Sequence, residues 1–64
     1  MLPGPQLDAQ EAIHHNELGI LALNQGRFDD AIRHFERAGQ LTPDSPLIPI
    51  NLRMARQMKA AAGR

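Results

Sequence analysis

Cysteine, tryptophan and tyrosine are missing from these 64 residues. Without cysteine there is no disulfide to staple a small domain and no thiolate to hold zinc. That absence fits a reducing compartment, and the expected location is cytoplasmic. Without Trp or Tyr, and with Phe28 and Phe35 as the two aromatics, the core has to be assembled from Leu, Ile, Ala and Met around them. An excess of either charge is missing as well. Seven basic and seven acidic residues cancel, so the basic surplus of a nucleic-acid binder is not there. No apolar run approaches the roughly 20 residues of a membrane span. The opening Met1-Leu2-Pro3-Gly4-Pro5 has neither the basic residues nor the apolar stretch of a signal peptide.

What remains is a neutral chain, 42% apolar, long enough for a single domain and no more. Each buried aliphatic side chain stabilises by roughly 1.5–3 kcal/mol. Ordering each residue costs about 1.5 kcal/mol, so scaffolds of this size sum to near zero. A partner, a second copy or a parent protein is therefore expected.

Residues 1–7 read as a disordered lead-in, because Pro3, Gly4 and Pro5 oppose helix and chain ends order poorly. A three-helix domain is expected over residues 8–62. Asp8 offers an N-cap with Glu11 three residues on, an acidic version of the capping box. The spacing then predicts a helix over about 9–24, carrying Ile13, Leu18, Ile20, Leu21 and Leu23. Gly26 suits the left-handed position after its last turn. A second helix is predicted over 28–41. Asp29 and Asp30 complement its dipole, and Ala31, Ile32, Phe35 and Ala38 form one apolar face. Asp29 and Arg33 are spaced to pair on the wet side. Pro43 ends this helix. A third helix is predicted over about 48–61. Its start is ambiguous between Pro46, with Ser45 as the cap, and Pro49 in the first turn. Leu47, Ile50, Met54 and Met58 share one of its faces, and Leu52 and Ala55 lie on another flank. The three-residue first turn makes its two helices antiparallel neighbours.

Ala12 to Ser45 spans 34 residues in which Leu18-Gly19, Gly26, Ala31, Phe35, Ala38 and Pro43 fall in a familiar register. The stretch resembles a tetratricopeptide repeat, and Phe28 fills the family's aromatic position after the turn. The resemblance implies an all-α fold: an antiparallel helical hairpin with a third, capping helix, of the α-α superhelix type. Gly19 and Ala31 would then lie where the two helices cross, with Phe35 and Leu18 filling the space beside them. Two positions depart from the family. His15 stands where Trp is usual, and Ala22 stands where a large aromatic is usual. Asn51-Leu52 resembles the start of a following repeat, yet Arg53 replaces the small residue that a further helix would need. This fits a terminal solvating helix. Repeat arrays generally want three units, so a piece of a longer protein, a dimer, or both is expected.

The resemblance further implies a non-catalytic protein–protein interaction module. Its concave face would carry Ile13, Asn16, Ile20, Leu23 and Asn24 from the first helix, and Leu47, Ile50, Met54, Gln57 and Met58 from the third. Mostly aliphatic and Met-rich, such a face suits an amphipathic helix, an extended peptide or a homodimer. The competing reading buries Met54 and Met58 against Ile20 and Leu23 as ordinary core. A different class of role is a regulatory or oligomerisation appendage of a larger signalling protein or enzyme. The family's carboxylate clamp is rejected, because only Asn51 matches; Asn16 and Ile20 stand where the clamp uses Lys and Asn.

No catalytic residue, cofactor, metal or small-molecule substrate is expected. His14 and His15 diverge by about 100° on a helix. A His14–His34 or His15–His34 pair across the hairpin would supply two ligands without a carboxylate. His15 is expected to be partly buried, and His14 and His34 exposed. Asp29 and Asp30 read as dipole partners and Ser45 as a cap. The basic tail Arg53, Arg56, Lys59 and Arg64 reads as a solvated helix end. No Gly-rich phosphate loop is present.

Overall fold

The computed structural model describes residues 5–63. Its order is α1 (Pro5–Asn24), α2 (Phe28–Leu41) and α3 (Leu47–Ala62), with no strand among the described residues. The all-α hairpin with a third helix is what the resemblance implied.

Helix α1 begins earlier than the expected lead-in allowed. Pro5 occupies its first position, where the fixed φ is already helical and the missing N–H has no intrahelical partner to lose. Residues 5–7 are therefore helical, and Asp8 lies inside the first turn rather than at the cap. The rest of the lead-in, residues 1–4, lies outside the described residues, as does Arg64 of the basic tail.

Gly26 closes α1 at φ 75°, a conformation in which a Cβ would clash. The Gly26 amide donates to the Leu23 carbonyl at 3.0 Å and the Arg27 amide to the Ala22 carbonyl at 2.8 Å. This is the paired Schellman closure, and it reverses the chain within three residues. At the far end of α2 the amide and hydroxyl of Thr42 both reach the Ala38 carbonyl at 3.0 Å. Pro43 follows, and the Ser45 amide closes the turn on the Thr42 carbonyl at 3.1 Å.

Helix α3 starts at Leu47 with Pro46 as its flanking residue, and no side chain caps it. Ser45 thus does not serve as the cap. Pro49 sits in the first turn, where its absent N–H costs nothing and Ser45, four residues back, is outside the helix. Both prolines are accommodated.

Helix α2 is the central element, packed against α1 on one side and α3 on the other. Its buried stripe is Ala31, Phe35 and Ala38, all 0% exposed. One core cluster joins Ala31 and Phe35 to Ala22 and Leu23 of α1 and Ala55 of α3. A second joins Ala38 to Ala12 and Ile48. Among the described residues, five of the eight buried apolar side chains are alanine. Gly19 is buried directly against the Phe35 ring, so that aromatic fills the crossing itself. Leu18 is only half-buried on the outer flank.

Surface ion pairs tie the layers together. Lys59 of α3 meets Asp29 of α2 at 2.6 Å, and Arg56 meets Glu36 at 3.4 Å. Asp29 does not pair with Arg33. Arg33 turns instead to Asp30, at 3.4 Å, which also holds Arg27 at 2.6 Å.

Candidate functional site

On α1, Ile13 and Ile20 lie two turns apart on one face. Both are exposed, Ile13 at 58%. On α3, Leu47, Ile50, Met54 and Met58 recur at spacings of three and four, and all four are exposed, Ile50 at 60%. The two rows belong to one side of the molecule. Ile13 and Leu47 line the same mostly apolar hollow, together with Ala9, Ala12, Thr42 and Ile48. One turn further along, Asn51 Nδ2 donates to Asn16 Oδ1 at 2.8 Å. The hollow and the asparagine pair are where α1 and α3 meet. Ile20 continues the α1 row one turn beyond Asn16, and Met54 continues the α3 row beyond Asn51.

The asparagine pair marks the floor between the rows. Asn51 is buried and Asn16 half-buried. A buried amide needs a partner, and each supplies the other's. No buried side-chain nitrogen or oxygen among the described residues lacks a hydrogen bond. Asn16 is therefore part of the α1–α3 joint as well as of the face.

Leu23 leaves the predicted face. It is 7% exposed and belongs to the core with Ala22, Phe35 and Ala55. The reason is its place on the helix. Leu23 lies one turn beyond Gly19, on the side of α1 that Phe35 covers. The reading that buried Met54 and Met58 as core is likewise not what is seen, since both remain exposed. Asn24 and Gln57 are exposed. Ile48 was not anticipated in any role. It supplies the α3 anchor on Ala12 and Ala38, and its signal was the 48, 51, 52, 55 spacing that runs beside the exposed row. Leu7 and Leu21 are exposed too. Leu21 lies on the opposite flank of α1, with Leu18 and His34.

His15 and His34 meet across the hairpin, their Nδ1 atoms 3.2 Å apart. His34 is half-buried by this contact rather than exposed, while His14 is exposed. Among the described residues no group of three or more His, Asp or Glu converges on a point where a metal could sit. No described helix is long and apolar enough to cross a membrane.

Residues 15–45 match the family model described as tetratricopeptide repeat. The match spans the hairpin from His15 in α1 to the turn that precedes α3. No curated protein and no solved structure matches the chain.

Proposed function

From the premise that residues 15–45 make this chain a member of the tetratricopeptide repeat family, we propose that the paired rows on α1 and α3 hold an amphipathic helix of another protein chain. Repeats of this family generally mediate protein–protein interaction and are typically non-catalytic. The observation that carries the finer reading is the exposure of six large apolar side chains, Ile13, Ile20, Leu47, Ile50, Met54 and Met58, on a molecule with so little core. A contiguous exposed apolar patch usually marks an interaction site. A helix laid between two parallel rows buries its own i, i+3, i+4 and i+7 anchors against both. Unbranched methionines on one row let the face adapt to anchors of different shape.

A second copy of the chain carries such a helix already. Its α3 presents Leu47, Ile50, Met54 and Met58 as one apolar strip, so self-association is the simplest form of the proposal. Arg53, exposed on α3, stands where a further repeat would need a small residue, and this favours a terminal, capping role for the helix.

Sedimentation of the isolated chain over a range of concentrations, in the wild type and in Ile20→Asp and Met54→Asp, tests the reading. A dimer that forms with rising concentration and disappears in both variants supports it. If the wild type is monomeric, photocrosslinkers placed at Ile20, Met54 and Leu21 are compared in cells. Capture from the first two positions and not from Leu21 supports a partner on this face. Assembly or capture that survives both Asp substitutions overturns it.

A further inference from the structure

The contact between His15 and His34 has a geometry that admits only some protonation states. The Nδ1 atoms are 3.2 Å apart, the ring centroids 5.4 Å apart and the planes inclined by 29°. Both residues are half-buried between α1 and α2. A neutral imidazole has one N–H donor and one bare acceptor nitrogen, whereas an imidazolium has two donors. The Nδ1–Nδ1 contact is thus a hydrogen bond only while one of the two nitrogens is bare. With one added proton, the charged ring donates to the neutral one. With two, N–H opposes N–H and charge opposes charge across stacked rings.

We infer that His15 and His34 form a proton-operated latch on the hairpin, closed while the pair holds at most one extra proton and forced open by the second.

The surroundings work in the same direction. Desolvation at the helix interface is the largest influence on His15 and disfavours its charged form; His34, His14 and Arg37 add repulsion, and only Glu11 favours the proton. These charges come from both packed elements, Glu11 and His14 from α1, His34 and Arg37 from α2. His14 lies 6.1 Å away between ring centroids. Asp30, one turn before His34 and lining the same small hollow, is already engaged by Arg27 and Arg33. The result is a His15 held below the ordinary histidine range. The unfolded chain then binds the proton more readily than the folded one. Stability is fully present above the ordinary histidine range, and it is lost as the pH falls through that range toward the folded value.

The device stands apart from the exposed apolar face, so it is tested on folding alone. The three imidazoles of the intact chain are followed by NMR between about pH 8 and about pH 5, the span over which histidine charges. Thermal melts of the wild type, His14→Gln and His34→Gln are recorded across the same span. The expected result is that His15 takes up its proton below a free histidine peptide. Acidification should lower the wild-type melting temperature by several degrees, lower that of His14→Gln nearly as much, and lower that of His34→Gln distinctly less. Equal losses in the wild type and His34→Gln overturn the latch. So does a His15 ring that titrates at the midpoint of the free peptide. Should His34→Gln fail to fold, the wild-type titration decides alone.

Discussion

A methyl group placed on Gly19 would lie 2.5 Å from Cε1 of Phe35 and 2.7 and 2.8 Å from two further atoms of the same ring. Phe35 is fully buried and has nowhere to retreat. Gly19→Ala should gain roughly 1 kcal/mol of helix propensity and lose about 1–3 kcal/mol to overpacking, for a net destabilisation in urea unfolding. In a Phe35→Leu background the clash is relieved, and the same substitution should become neutral or stabilising. A stabilising Gly19→Ala in the wild type would show that the ring is free to move.

The amide bridge between Asn16 and Asn51 is tested by a double-mutant cycle. Asn16→Ala leaves the buried Asn51 Nδ2 without its acceptor, at a cost of about 1–3 kcal/mol. Asn51→Ala strands Asn16 less severely, since Asn16 is only half-buried. The double variant should lose less than the sum of the two, and denaturant midpoints of all four proteins measure the difference. Strict additivity would mean that the two amides do not depend on each other.

Lys59 holds Asp29 below the ordinary carboxylate range, first by the hydrogen bond at 2.6 Å and then by its charge. A depressed carboxylate contributes stability above its unfolded value and loses it as the pH falls through the folded one. This loss comes at more acidic pH than the histidine effect. In Lys59→Gln the Asp29 titration, read from its carboxyl carbon by NMR, should move up. Added salt should shrink the gap between the two proteins, because the pair is exposed and screened.

Leu23 and Ile50 separate core from surface. Leu23→Ala opens a cavity beside Phe35 and should cost about 2–5 kcal/mol. Ile50→Ala, at a residue 60% exposed, should stay within about 0.5 kcal/mol in the isolated monomer. Thermal melts at low concentration check both. Comparable losses would place Ile50 in the fold rather than on its surface.

Turns were more legible in the sequence than faces. Gly26 takes a left-handed conformation that side chains resist and Pro43 lacks the amide and fixes φ, so each punctuates the chain, and α2, Phe28–Leu41, lies between them. The prolines were harder, because the same ring that breaks a helix interior also starts one. Pro5 opens α1, and Pro49 sits harmlessly in the first turn of α3. The rotation of α1 was the least readable feature. Ile13, Leu18, Ile20, Leu21 and Leu23 nearly surround that helix, so periodicity alone does not say which side meets α2. Packing decides it, and Gly19 under Phe35 sets the angle that sends Leu23 inward and Ile20 outward. The His15–His34 contact depends on the same rotation, and Ile48 depends on the corresponding rotation of α3.

A core in which alanine outnumbers every larger side chain lets three rods lie close together but removes little hydrocarbon from water. Ligand occupancy then becomes a thermodynamic part of the fold. A binder present at tenfold its Kd, selective for the native form, adds about 1.4 kcal/mol to the unfolding free energy. With a partner docked as proposed, that increment would lengthen the time each molecule survives proteolysis, and the abundance of this chain would follow that of the partner.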